Sequence, residues 1–329
     1  MRYLESTSTD PAFNLALEQY AFDTLSKNDE LFMLWQNCDS VIVGLHQNTA
    51  EEINRAYIDQ NGIPVVRRLS GGGAVFHDLG NLNYTIITNA QDAGRLDFHQ
   101  SCRPIVEALA GLGVYAEANG RNDISVGGRK FSGNARYLRY GRLMHHGTIL
   151  FDTDFERMSE ALHVPEDKFV SKGVKSVRAR VTNLREHLPV DMTVAEFWAY
   201  LRMTLVREQK MSMYALSARD LEAVEAIRRG RYATWEWNYG QSPEYGIKKR
   251  RRLPGVGAIR ISMQVEDGKI TAFTSDGDYF GSRPCDDIAM VLLNTKLEED
   301  ALLEALSAVS LEEYYEGLTK DEFIRLILD

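Results

Sequence analysis

The chain has 329 residues, with 38 Lys and Arg against 47 Asp and Glu, and a net charge of −9. With 44% hydrophobic residues, 8 prolines and 25 glycines it is neither disordered, collagenous nor of low complexity. That length suits one large domain or two unequal ones, able to bury a core without disulfide staples.

Asp10-Pro11 suits an N-cap followed by the first helical position, and Phe13, Leu17, Tyr20, Ala21 and Leu25 recur at helical spacing, so a helix is expected over 11–25. Strand-like runs follow at 31–35 and 40–45, then a helix near 51–61, then strands at 64–67, 74–77 and 82–88. A helix is expected near 105–112. Gly141-Arg142 separates the runs 131–140 and 143–151, as in a hairpin. Helices near 155–162, 194–208 and 218–229 complete this part. In the tail, strands at 258–265 and 270–274 flank the turn Asp267-Gly268, and amphipathic stretches lie near 286–293, 299–307 and 320–328. The strands cluster without a regular strand-helix-strand beat, so the expected class is α+β with a mixed sheet.

Charge marks a boundary. Residues 255–329 hold 6 basic and 16 acidic residues, net −10, whereas the remainder holds 32 and 31, net +1. Just before the switch lies Lys248-Lys249-Arg250-Arg251-Arg252, and a like-charge run near Gly and Pro reads as an exposed connection. The expectation is a large domain over 1–247, a basic linker at 248–254 and an acidic domain over 255–329.

Cys38, Cys102 and Cys285 are widely spaced and form no C-x-x-C or Cys/His cluster, so a cytoplasmic location is the simplest reading. No apolar leader follows Met1, and no run of about 18 apolar residues occurs, so no membrane partner is expected. The acidic balance, without a helix-turn-helix or zinc pattern, argues against nucleic acid.

Four stretches carry the chemistry. In Arg67-Arg68-Leu69-Ser70-Gly71-Gly72-Gly73-Ala74-Val75-Phe76-His77-Asp78, three glycines between strands can turn sharply and bring backbone N–H groups to an anion, with Arg67 or Arg68 supplying charge; a flexible hairpin turn fits equally. No Walker A or G-x-G-x-x-G pattern is present. In Asn122-Asp123 through Ala135, Lys130 is either a surface lysine or a point charge for phosphate or carboxylate oxygens, and Asp123 either forms a turn or contacts Mg²⁺. His145 and His146, adjacent on a strand, point to opposite faces and do not chelate one metal together. The stretch 172–184 holds Lys172, Lys175, Arg178 and Arg180 without an acid, as a solvated loop or a flap over a polyphosphate. No G-x-S-x-G elbow or nearby Cys-His pair supports nucleophilic catalysis.

Together these stretches resemble the lipoate–protein ligases of the biotin/lipoate ligase superfamily. Arg67 to Asp78 with Gly80-Asn81 is similar to that family's R-R-x-S-G-G-G-A-V-F-H-D-x-G-N signature, and the other three stretches follow in the family's order. The resemblance implies ATP- and Mg²⁺-dependent activation of lipoate to lipoyl-AMP, then transfer to a lysine of apo lipoyl domains, those of 2-oxoacid dehydrogenase E2 subunits or of the glycine-cleavage H protein. It implies a catalytic Lys130, contacting both acyl carboxyl and adenylate phosphate. Arg68, Ser70, Gly71, Gly72, Gly73, Ala74, Val75 and Phe76 would bind nucleotide, with His77 beside them near the acyl group, and His146 is a further cofactor-binding residue. Val75, Gly133, Ala135 and Gly147 would shape the acyl channel, Asp123 would contact Mg²⁺, and Lys172, Arg178 and Arg180 would close over the adenylate while the small domain pivots. Rival readings are a cysteine-dependent octanoyl- or lipoyl-transferase, which the absence of cysteine from 103 to 284 disfavours, a transferase of preformed lipoyl-AMP, and a non-catalytic lipoyl-domain binder.

Overall fold

The computed structural model describes residues 1–25, 29–89, 98–119, 122–162, 180–208, 210–239, 247–266 and 268–328. After β1 (Arg2–Glu5), the Asp10 carboxylate accepts from the Ala12 N–H at 2.9 Å and opens α1 (Pro11–Tyr20), as the Asp-Pro pair predicts. The expected helix to 25 changes form at its end: the last turn widens to a π-turn over Ala21–Leu25, with Phe22 and Leu25 buried. There follow β2 (Leu31–Trp35), β3 (Ser40–Val43), α2 (Thr49–Glu52), α3 (Arg55–Asn61), β4 (Val65–Arg67), β5 (Val75–His77) and β6 (Asn81–Asn89). The helix expected over 51–61 is broken because Asn54 caps a new one, its side chain accepting from the Tyr57 N–H. Next come α4 (Phe98–Gly111), β7 (Glu117–Asn119), β8 (Asp123–Val126), β9 (Arg129–Arg139), β10 (Arg142–Leu150) and α5 (Phe155–Ala161). Helices Val194–Glu208, Ala218–Ile227 and Trp235–Asn238, with β11 (Ser212–Met213), complete this part.

The main sheet has the order β11-β1-β2-β6-β10-β9-β8-β7, and a small sheet runs β4-β3-β5. Tyr140 and Gly141, both at positive φ (54° and 68°), turn β9 into β10, which matches a two-residue hairpin loop of mirror-image type. Strand periodicity divides the hydrophobic residues. Phe32 and Leu34 with Leu82, Tyr84 and Ile86 pack against α4 and Val194–Glu208, whereas Leu31, Met33 and Trp35 pack with Ile87 against α1. On that second face Asn83, Thr85, His146 and Thr148 interrupt the apolar pattern. Gly80 is needed where it stands: its carbonyl accepts from the N–H groups of Phe151 and Asp152, and a methyl group there would collide with the Asp152 carbonyl.

The C-terminal part has its own core, with Ile259, Ile261, Tyr315 and Phe323 fully buried. The run 248–252 corrects the linker expectation. It lies in β12 (Ile247–Leu253), paired antiparallel along its whole length with β13 (Gly257–Glu266), which pairs in turn with β14 (Lys269–Gly277). Half-buried Ile247 and Leu253 anchor the ends, and Lys249 Nζ donates to the Ile327 carbonyl at 2.6 Å. Pairing satisfies the backbone on the β13 side, and Arg250, Arg251 and Arg252 are exposed. This part touches the first through Gly277 N–H to the His46 carbonyl (2.7 Å), Gly72 N–H to the Tyr279 carbonyl (3.1 Å), and the Arg136–Glu316 pair (3.1 Å).

Asp220 ties Ala218–Ile227 to α1, accepting from Tyr20 Oη at 2.6 Å, Tyr214 Oη at 3.0 Å and Ser217 Oγ at 2.7 Å. Burial pushes its carboxyl up, but the hydrogen bonds from Tyr20, Ser217 and Tyr214 outweigh that and hold it down at about 2. A folded-state value below the ordinary carboxylate value of about 3.9 means that stability gained from ionised Asp220 is complete above that value and lost as pH falls through about 2. Urea unfolding at pH 5 and pH 2 checks this: the gap between wild type and Asp220→Asn is expected to narrow by on the order of 1–2 kcal/mol on acidification.

Candidate functional site

A cavity of about 140 Å³ lies between the α1 face of the main sheet and the glycine segment. Its floor follows one row across the strands. Trp35 pairs with Asn83, Asn83 with Thr148, the Gly133 N–H donates to Thr148 Oγ1 at 3.1 Å, and Gly133 pairs with Asp123. At about 4.8 Å per strand, Asn83 and Gly133 stand roughly 10 Å apart. Leu15, Ile42 and Val75 add apolar walls, and Lys130 borders the cavity beside Gly133.

Lys130 Nζ lies 2.6 Å from Asp123 Oδ1, a half-exposed ion pair. A Cβ at Gly133 would sit 3.0 Å from that nitrogen, so the glycine leaves the ammonium its place. The Lys130 carbonyl accepts from the Thr182 N–H at 2.9 Å.

The glycine segment is shaped by buried guanidinium groups. Arg68 donates from Nε to Ser70 Oγ (3.0 Å) and from its terminal nitrogens to the carbonyls of Ile42 (3.1 Å), Gly71 (2.6 Å) and Gly73 (2.9 Å). Burial pushes its pKa down to about 10, with Glu18 opposing, so it remains charged at neutral pH. Arg67 points elsewhere, donating to the carbonyls of Gly44, Leu45, Gln47 and Trp237 and to Thr49 Oγ1. Gly44 has no side chain because a methyl group would collide with the Gly72 carbonyl.

Below the segment runs a continuous polar chain. Ser70 Oγ is 2.6 Å from His146 Nε2, His146 Nδ1 is 2.8 Å from Glu18 Oε1, Thr85 Oγ1 donates to Glu18 Oε1 at 2.6 Å, and Trp35 Nε1 donates to Thr85 Oγ1 at 2.9 Å. The order Ser-His-Glu is that of a hydrolytic triad. Ser70 is fully buried, accepts from Arg68 and does not border the cavity, so here the arrangement holds the glycine segment against the sheet.

A second relay fixes His77. The two hydrogens of Asn14 Nδ2 are shared among the carbonyls of Ser8 (2.9 Å) and Gln36 (2.8 Å) and Asn37 Oδ1 (2.9 Å), which places Asn37 Nδ2 3.0 Å from His77 Nδ1. His77 Nδ1 therefore accepts and Nε2 carries the hydrogen. Burial, then Arg68 and His146, lower the His77 pKa to about 3, so the ring is neutral at pH 7.

Of the residues expected at the site, Arg68, Gly72, Gly73, Ala74, Val75, His77, Lys130, Gly133, Ala135, His146 and Gly147 border the cavity. Phe76 does not: alternation along β5 turns it into the cluster of Val41, Val43 and Ile58. Gly71 packs against Tyr279 and Phe280, and the Gly72 N–H, expected free for an anion, is donated to Tyr279. Arg180 is exposed, next to Val181, which bridges to Lys130. Lys172 and Arg178 lie outside the described residues. Asp123 starts β8 rather than forming a turn and holds Lys130. No group of three or more His, Cys, Asp or Glu able to hold a metal occurs among the described residues. Glu18, Asn14, Asn37 and Asn83 were not anticipated; their signal is a polar residue in an otherwise buried periodic face. No described helix is long and apolar enough to cross a membrane.

Residues 10–205 match the lipoyl protein ligase A/B catalytic domain family, and 242–327 the bacterial lipoate protein ligase C-terminus family. The chain is 41% identical to lipoate-protein ligase LplJ of Bacillus subtilis over 97% of each chain. Among solved structures it is similar in fold to P. falciparum LipL1 in complex with lipoate, with TM-score 0.81 and 23% identity over 99% of each chain. It is also similar to a lipoate-protein ligase A bound with ATP (TM-score 0.61, 27% identity, 73% of this chain and 98% of that one). A chain from a structural analysis of an archaeal lipoylation system, a bipartite lipoate protein ligase and its E2 lipoyl domain from Thermoplasma acidophilum, gives TM-score 0.64 and 27% identity over 75% of this chain and 98% of that one.

Two glycines at the cavity differ in what a methyl group would meet. At Gly133 it would meet the end of a flexible lysine, at Gly147 the Asn134 amide and the Tyr84 ring. Thermal and urea denaturation are expected to leave Gly133→Ala close to wild type and to show Gly147→Ala destabilised by about 1–3 kcal/mol.

Proposed function

Because the chain belongs to the lipoate–protein ligase family, and is on that ground an enzyme, we propose that it activates free lipoate with ATP and transfers the lipoyl group to a lysine of apo lipoyl domains. The observation that carries this reading is the half-buried Lys130 ammonium at one end of a largely apolar cavity. The ATP-bound relative supports the choice of nucleotide, and the archaeal ligase described together with its E2 lipoyl domain supports an E2 domain as acceptor; the glycine-cleavage H protein is the alternative acceptor.

In the first step a lipoate carboxylate oxygen attacks the α-phosphorus of ATP, the bond to pyrophosphate breaks, and lipoyl-AMP forms. In the second the acceptor amine attacks the acyl carbon, the bond to AMP breaks, and the amine loses its proton. Neither step needs a protein nucleophile, and Cys38, Cys102 and Cys285 do not border the cavity. Both steps need developing negative charge stabilised in a site shielded from water, which is the role of Lys130. Asp123 orients that ammonium in the absence of nucleotide. No group of three or more metal-ligating side chains occurs among the described residues, so a Mg²⁺ would come with the triphosphate and Asp123 would hold it. Mg²⁺ would supply charge neutralisation.

The Gly72 N–H joins the nucleotide site once Tyr279 releases it, so docking of the C-terminal part and phosphate binding compete for one donor. With 248–252 built into the C-terminal sheet, any pivot lies before Ile247. Arg180, exposed beside Val181, would then contact the adenylate.

Lipoate-dependent exchange of pyrophosphate into ATP, without acceptor and with Mg²⁺ varied, tests this. Exchange is expected in wild type and reduced about 100-fold or more in Lys130→Ala. Absence of exchange together with transfer from supplied lipoyl-AMP would replace the ligase by a transferase of the preformed adenylate.

A further inference from the structure

Asn134 borders the cavity, yet its side chain is spent entirely on the protein. Its backbone N–H donates to the Asn122 carbonyl at 2.8 Å, and its Nδ2 donates to that same carbonyl at 3.2 Å and to Ser132 Oγ at 3.1 Å. A carbonyl only accepts, so the Asn122 oxygen fixes which way the amide faces, since turning it over would set Oδ1 against another acceptor. Oδ1 is then met by Tyr84 Oη, which donates to it, and by His145 Nε2 at 3.1 Å. Both amide hydrogens and both lone pairs of the oxygen are committed. Gly147, paired with Asn134 across the strands of its hairpin, makes room for this amide, because a methyl group at Gly147 would strike Oδ1.

The grip on Asn122 bears on the residue that follows it. Asp123 pairs across the ladder with Gly133, whereas the ammonium it holds belongs to Lys130, earlier on β9, whose side chain passes beside Gly133 to reach the carboxylate. The ion pair therefore runs diagonally to the ladder, and its geometry depends on where the Asn122–Asp123 peptide sets the carboxylate. The ladder alone holds that peptide briefly: two pairs, Asp123 with Gly133 and Ile124 with Ser132, precede a register shift between Ile124 and Ser125. The side-chain bond from Asn134 adds a second donor to the Asn122 carbonyl and ties β8 to β9 one residue ahead of those pairs.

We propose that Asn134 is a positioning residue: it offers no hydrogen bond to a bound ligand and acts by fixing the Asn122–Asp123 peptide, and with it the Asp123 carboxylate beside the Lys130 ammonium. This rests on the reading of Lys130 as the group that stabilises developing negative charge. The two are separable, because positioning is read from how two substitutions combine and activation from exchange in wild type.

The test is a double-mutant cycle on the full chain, Asn134→Ala with and without Asp123→Ala, read both as lipoate-dependent pyrophosphate exchange and as transfer from supplied lipoyl-AMP, with folding followed by thermal denaturation. Asn134→Ala is expected to lower kcat for exchange about tenfold while KM for lipoate stays within about twofold, because a displaced charge is felt in the rate. In the Asp123→Ala background the same substitution is expected to add less than about twofold, since the group it acts through is gone. Asn134→Ser serves if Asn134→Ala does not fold. Equal losses in the two backgrounds, the result for an asparagine that only stabilises the fold, overturn the assignment, as does an unchanged kcat in folded Asn134→Ala or Asn134→Ser. Transfer from lipoyl-AMP without exchange in wild type removes the activation reading, and masking of the Asn134→Ala loss by Asp123→Ala in that transfer leaves the assignment standing.

Discussion

A charged guanidinium buried beneath three glycines is the constraint on which the site depends. A triple glycine has no shape of its own, since each residue reaches φ/ψ regions closed to others and loses more freedom on folding. Arg68 supplies the shape, gathering the carbonyls of Ile42, Gly71 and Gly73 and the hydroxyl of Ser70 around one planar fork. Through Ser70 the same group reaches His146, Glu18 and Thr85, so the segment, the sheet and α1 share one hydrogen-bonded network. Arg67 does equivalent work on the other side, gripping 44–49 and the helix at Trp235–Asn238. Removing either would leave several buried carbonyls short of a donor, a larger loss than any one contact suggests.

Much of this was legible where local chemistry dictates local structure. Asp10-Pro11 begins a helix because a carboxylate and a missing N–H suit its first turn, and the opposite orientations of His145 and His146 follow from strand geometry alone. His146 meets Ser70 and the cavity while His145 lies on the other face near Cys102. The glycine signature is readable because its demands are steric. Its arginines were misread in part: charge in a sequence suggests a ligand, yet these side chains are spent on backbone carbonyls, which no spacing rule reveals. Phe76 belongs to the signature but to the core in space, since a strand gives only alternate residues to a site.

What the sequence concealed is long-range pairing. Asn14, Asn37 and His77 are far apart in the chain, and their relay exists only once α1 and β5 meet. The run 248–252, expected as a linker, is instead a strand of the C-terminal sheet, for a related reason. The five cations of 248–252 raise the C-terminal part from 6 to 11 basic residues against 16 acidic, net −5, and leave the remainder at −4. Half of the tail's apparent net charge came from cutting it from the strand that pairs with it.

That strand has another consequence. β12 is an edge of its sheet, paired with no further strand among the described residues. Five consecutive cations line this edge, and the same edge of a second copy would bring five more into register at about 4.8 Å. Repulsion at that spacing works against strand addition by a second copy. The run that resembles a connection in one dimension acts as a guard on the fold in three.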